Sequence, residues 1–164
     1  MASVRPIPEG CHSISPGLTC RDAARAIEFY KKAFGATEIA RMAGPDGKIA
    51  HAELRIGDSV IFVSDEFPGM SAAPTPTTTP SVYFYLYVAD ADTVFNGAVA
   101  AGCRVDMPLM DMFWGDRYGK LTDPFGHTWG IATHVEDVTP EEMERRGAEF
   151  MAKMAQSAKA AGQS

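Results

Sequence analysis

The sequence predicts an α+β fold: two β-α-β-β-β modules forming a cupped mixed sheet, plus a C-terminal helix. Three observations carry this expectation. In each half of the chain, short runs with period-2 alternation surround one run with helical spacing. The halves also match each other. Residues 18–27 (LTCRDAARAI) and 86–95 (LYVADADTVF) share Leu, Asp, Ala and a large apolar residue at one offset, 68 residues from Asp22 to Asp90. Between them, residues 67–80 contain Pro68, Pro74, Pro76 and Pro80 among Thr and Ala, a composition that stays extended and acts as a linker. The modules are thus expected at residues 13–66 and 81–134, with the helix at 139–160.

Residues 13–20 read as the first strand, with Ile14, Pro16 and Leu18 on one face. Pro16 lacks an amide donor, so this strand should pair on one side only there. Asp22 is a helix N-cap, residues 23–34 carry Ala23, Ala26, Ile27, Tyr30 and Phe34 at helical spacing, and Gly35 ends the run. Residues 36–43 and 48–56 read as a hairpin about the turn Gly44-Pro45-Asp46-Gly47. In its second strand Ala50, Ala52, Leu54 and Ile56 share one face, and Ile49, His51, Glu53 and Arg55 the other. Residues 59–64 complete the module.

The second module opens with a strand at 81–88. Val82, Phe84, Leu86 and Val88 should face a helix, and Tyr83, Tyr85 and Tyr87 the other side. Asp90 caps a helix over 91–101, ended by Gly102. Residues 103–106 read as a short strand and 107–114 as a loop or irregular strand. Residues 115–134 then supply two strands joined by the turn Asp123-Pro124-Phe125-Gly126. Thr139-Pro140-Glu141-Glu142 is a helix start, with Thr as N-cap, Pro at N1 and Glu at N3. Met143, Gly147, Phe150, Met151, Met154 and Ala158 run along one face of that helix, which should pack on the domain or on a second subunit.

Composition excludes several classes. A net charge of −6 and a pI near 5.1 disfavour nucleic acid, which needs a dense Lys/Arg face. No run approaches the ~18 apolar residues that span a bilayer, and residues 1–10 hold no signal-like apolar stretch. Cys11, Cys20 and Cys103 are odd in number and widely spaced, as reduced thiols would be, so a cytoplasmic location is expected. There is no G-x-S-x-G nucleophile elbow, and no strand-turn-helix unit of the nucleotide- or S-adenosylmethionine-binding kind.

Two such modules, a linker and a DPFGH turn between the last strands resemble the vicinal oxygen chelate superfamily, which includes glyoxalase I, extradiol dioxygenases and bleomycin-resistance proteins. Residues 22–30 (DAARAIEFY), 113–119 (FWGDRYG), 123–130 (DPFGHTWG) and 134–140 (HVEDVTP) are most similar to its PhnB-like, glyoxalase-like branch. The resemblance implies an active site enclosed by the two half-sheets, a homodimer, and, in metal-dependent members, ligands at four strand positions facing the cup. These fall at Ser15, near Ile61, at Tyr83 and near Gly130. None is His or Glu, whereas a divalent ion needs about three imidazole or carboxylate ligands, so no metal cofactor is expected.

The candidate ligand-binding residues are His51, Glu53, Tyr83, Trp114, Asp116 and Tyr118. His51 and Glu53 share a strand face and suit either an acid–base pair or a hydrogen-bonded polar pair at a cavity floor. Alternation back from Leu121 turns Asp116 and Tyr118 toward the cup, where with Trp114 they could orient a small organic ligand; an ion pair of Arg117 fixing a loop is the plainer reading. His127 is expected to stabilise the turn. The functional expectation is a small-molecule-binding protein of the glyoxalase/bleomycin-resistance type without a metal centre. Two alternatives remain: a divalent-metal lyase, isomerase or dioxygenase with unusual ligands such as His51 and Glu53, and an interaction module acting through the C-terminal helix.

Overall fold

A computed structural model describes residues 4–75, 77 and 80–161, with side chains through residue 157. Pro76 and the side chain of Ala158 lie outside the described set. The first module contains β1 (Gly17–Cys20), α1 (Ala23–Phe34), β2 (Thr37–Ala43), β3 (Ile49–Ile56) and β4 (Ser59–Asp65). The second contains β5 (Phe84–Tyr87), α2 (Ala91–Ala101), β6 (Arg104–Asp111), β7 (Asp116–Thr122) and β8 (Thr128–His134), followed by α3 (Pro140–Ala161). Each module is a four-stranded mixed sheet, ordered β1-β4-β3-β2 and β5-β8-β7-β6.

The duplication is visible in individual hydrogen bonds. Gly17 pairs with Phe62 in one sheet and Tyr85 with Gly130 in the other, both members moved by the same 68 residues. Asp22 and Asp90 cap α1 and α2 by accepting from the amides of Arg25 and Thr93, each at 3.0 Å. The amides of Ala23 and Ala91 are held from the ends of β4 and β8, by Asp65 Oδ1 at 2.9 Å and Thr133 Oγ1 at 2.8 Å. Gly35 closes α1 in the left-handed conformation that only glycine adopts without strain.

Three expectations are corrected. The strand at 13–20 shortens to β1, and the one at 81–88 to β5; Ile14, expected to share a face with Leu18, and Val82, expected to face a helix, are 84% and 67% exposed. As Pro16 requires, β1 pairs only with β4. The short strand expected at 103–106 starts after Cys103 and runs on as β6 to Asp111; residues 107–111, expected as loop or irregular strand, are the irregular strand, with two register shifts. In β3 the alternation slips by one residue. Met42 pairs with His51 and Ala43 with Ile49, so Ala50 is bulged out. The bulge turns Ile49 into the core instead of onto the His51 face, and its amide donates to Asp65 Oδ2 at 2.7 Å.

α1 and α2 lie against each other and each against its own module's sheet, and one core joins the modules. Tyr30, Phe34 and Trp129 are buried there, with Phe34 and Trp129 rings 4.5 Å apart. Each such burial contributes roughly 1.5–3 kcal/mol. The DPFGH turn is the polar centre of this interface. Asp123 is 4% exposed and accepts four hydrogen bonds: from the amides of Phe125 and His127, from Trp129 Nε1 and from Tyr30 Oη across the module boundary. His127 Nε2 meets the Thr19 carbonyl at 3.0 Å. His127 therefore ties the turn to β1, and the motif is a lock between modules. Burial pushes the nearby Cys20 thiol up to about 12, and Cys103 likewise, which disfavours the thiolate at both.

α3 leaves the second module through a tight contact. Gly115 has φ +95°, and a Cβ on it would lie 2.0 Å from the Glu136 carbonyl, because the amides of Val135 and Glu136 both donate to the Gly115 carbonyl. Thr139 Oγ1 accepts from the Glu142 amide, Arg146 forms a two-pronged pair with Glu136, and Phe150 packs on Phe113 with ring centres 5.4 Å apart. Met151 and Met154 remain exposed.

Candidate functional site

The cup side of the second sheet carries a built aromatic network. β7 alternation aims Leu121 at the core and Tyr118 and Asp116 away from it, as the sequence predicts. Asp116 is 2% exposed yet fully satisfied. Its Oδ2 accepts from Tyr85 Oη (2.8 Å), Tyr87 Oη (2.9 Å) and Trp114 Nε1 (3.0 Å), and its Oδ1 faces His134 Nδ1 at 2.9 Å. Burial raises the Asp116 carboxyl, but these four bonds, His134's first, outweigh it and hold the group below the usual carboxylate range. Burial and the bond to Asp116 push the Tyr85 and Tyr87 phenols above their ordinary value. Both are neutral donors.

The His134 ring is fixed from both sides, with Nε2 3.0 Å from Asp137 Oδ1. Both ring nitrogens face carboxylate oxygens, which favours the doubly protonated ring: the bond to Asp116, then that to Asp137, raises the imidazolium pKa above its ordinary value. A ring so held is a poor general base.

Tyr118 stacks on Tyr85 with centres 5.1 Å apart and meets Trp114 edge-on at 5.7 Å. Tyr83 leans on Tyr85 at 6.4 Å. Four of the six sequence candidates thus join one cluster. His51 and Glu53 form a separate one on β3, 3.3 Å apart beside Phe62, and no hydrogen bond or ring contact links them to the tyrosines among the described residues. Arg117 pairs with Asp92 and Asp111, bracing β7 against α2 and β6.

The four positions at which the resemblance would place metal ligands do not fit a divalent ion. Ile61 points into the core, and the residue matching Gly130 by register is Phe62, one place further on. At Gly130 itself the space is taken, since an added Cβ would lie 2.6 Å from the Tyr118 ring. A hydroxyl, a hydrocarbon, a phenol and a glycine leave no carboxylate or imidazole donor. His51 and Glu53 supply only two donors, and no group of three or more His, Cys, Asp or Glu side chains is disposed to hold a metal among the described residues.

Among the described residues, cavities border these elements. One of about 870 Å³ lies between the modules, where Ile14, Pro16 and Ile61 face Tyr83, Tyr85 and Tyr87, with Trp129 in its wall and Asp58 and Ser59 on its rim. Its volume is within the range of small-molecule sites, roughly 300–1,000 Å³. Another, about 500 Å³, lies beneath the linker and is polar, lined by Arg21, Arg104, Asp106 and Lys120. Of the six candidates only Tyr83 lines the larger cavity; Asp116, Trp114 and Tyr118 support its wall from behind. Tyr85 and Tyr87 are the residues the candidate set missed, and their shared strand face with Tyr83 was the available signal.

A family model described as the glyoxalase/bleomycin resistance protein/dioxygenase superfamily matches residues 12–131. Uncharacterized protein Rv0887c of Mycobacterium tuberculosis (strain ATCC 25618 / H37Rv) is 43% identical over 136 residues, covering 80% of this chain and 80% of that protein. The crystal structure of TioX from Micromonospora sp. ML1 matches with a TM-score of 0.61 at 27% identity, over 76% of this chain and 99% of that one. A PhnB protein from Bacillus cereus matches in fold, with a TM-score of 0.60 at 21% identity, over 74% of this chain and 99% of that one.

Proposed function

We propose that this chain, which belongs to the glyoxalase/bleomycin resistance protein/dioxygenase superfamily, binds a small organic molecule in the cavity between its two modules and does so without a metal. One observation carries the reading: a cavity of about 870 Å³ walled by three consecutive same-face tyrosines, with Asp116 holding two of them in place. Tyrosine rings offer flat, amphipathic surface at low entropic cost. A ring that is already hydrogen-bonded from behind loses little further freedom when a ligand arrives. The donor-poor strand positions favour binding by side chains alone.

Thermal-shift screening with small planar aromatic compounds tests the proposal, followed by fluorescence titration of hits on wild type and Tyr83→Ala. Tyr83 is half exposed at the cavity wall, so its truncation should weaken binding by about tenfold or more, from lost ring contact, while the fold survives. Equal affinity in the variant would place the ligand elsewhere. We also propose a cytoplasmic homodimer in which a second copy covers the exposed Met151 and Met154 of α3. A monomer by light scattering at micromolar concentration would remove that part of the proposal.

A further inference from the structure

The hydrogen-bond polarity of the wall says what kind of molecule the cavity takes. Tyr85 and Tyr87 both line the cavity, and each spends its single phenolic proton on Asp116 Oδ2, at 2.8 and 2.9 Å. What remains on their oxygens is acceptor capacity. Trp114 Nε1 shares its one proton between Asp116 Oδ2 and Tyr85 Oη, 3.3 Å away, so Tyr87, the more exposed of the two, is the open acceptor. Asp116 behind them is ionised, and the one charged residue on the cavity lining is another carboxylate, Asp58. Among the described residues, no Lys or Arg lines it. The Lys120 ammonium belongs to the polar cavity and lies 5.2 Å from the Tyr83 ring centre. That contact shows a ring of this wall accepting a cation.

Building on the cavity reading above, we infer that the ligand is a planar aromatic bearing a positive charge or N–H/O–H donors, and that the site rejects carboxylates and other acceptor-only anions. A carboxylate would meet two oxygens with no proton left to give, in front of a buried negative charge. An aminium would meet an acceptor at Tyr87 and ring faces beside it.

The test is fluorescence titration with three tricyclic probes of similar shape: 9-aminoacridine, a cation with N–H donors; neutral 9-anthracenemethanol; and anthracene-9-carboxylate. Wild type is compared with Tyr87→Phe and Asp116→Asn. The expected result is at least tenfold tighter binding of 9-aminoacridine than of the carboxylate, with the alcohol between. Tyr87→Phe, which leaves the net charge unchanged, should reduce that ratio to threefold or less. Equal binding of the three probes, tighter binding of the carboxylate, or a ratio untouched in Tyr87→Phe overturns this inference and leaves the cavity reading standing. Asp116→Asn should also lower the ratio if it folds, and should it not fold, Tyr87→Phe decides alone. Failure of all three probes to bind overturns the cavity reading itself, and this inference with it.

Discussion

At the scale of single residues, Asp116 and His134 make opposite demands on pH. The Asp116 carboxyl is depressed in the fold, so its stabilising contribution is complete above about pH 4 and is lost as pH falls through the depressed value. The His134 pKa is raised, so its contribution is complete below pH 6.5 and is lost as pH rises through the raised value. The gap in urea midpoint between wild type and His134→Ala should therefore be widest between about pH 4 and 6.5 and close toward alkaline pH. A gap that is constant or grows on the alkaline side would show that His134 is not held as an imidazolium. Gly130 makes a second demand. Gly130→Ala places a methyl group 2.6 Å from the buried Tyr118 ring, and overpacking of this kind costs about 1–3 kcal/mol. Urea denaturation should show that loss. None of this was legible beforehand. Alternation identified the side of the sheet that Asp116 and Tyr118 occupy, but which groups would meet there depends on the pairing of β5 with β8 and β7, a long-range register the local pattern does not encode.

At the scale of elements, helices were the most legible parts, because each carries its own start and stop. Asp22, Asp90 and Thr139 cap where the sequence places them, and α1 spans the residues expected of it. Strand ends were less legible. Ile14 and Val82 fit an alternating pattern, yet hydrogen bonding stops short of them, since β1 and β5 each have only one partner. The Ala50 bulge has no local signature either; it follows from closing the Gly44–Lys48 turn, whose amide and carbonyl meet at 2.7 Å. Gly115 decides how α3 is delivered. Gly115→Ala should strain a φ of +95° and clash with the Glu136 carbonyl. Hydrogen exchange should then speed up in residues 135–150 while α1 stays protected. Uniform loss of protection would mean that α3 is not a separable element.

At the scale of the molecule, the turn motif that most strongly suggested a family proves to be the joint between its halves. Tyr30→Phe removes the one side-chain bond that α1 sends to Asp123, leaving the buried carboxylate short of a donor. It should cost about 1–3 kcal/mol without altering secondary structure, measured as a lower urea midpoint with unchanged far-ultraviolet circular dichroism. The same joint explains why the candidate site was only half legible. Tyr83, Trp114, Asp116 and Tyr118 come from one module and converge, whereas His51 and Glu53 belong to the other sheet and stay apart. The cavity itself needs both modules in place. The claim that most needs testing is that this cavity binds its ligand with side chains alone. Untagged protein should be assayed for metal by elemental analysis before and after dialysis against a chelator, and both samples titrated with the best aromatic hit. Our account predicts sub-stoichiometric metal and the same affinity in both. Near-stoichiometric nickel, zinc, iron or manganese, with binding lost on chelation and restored by the ion, would contradict it.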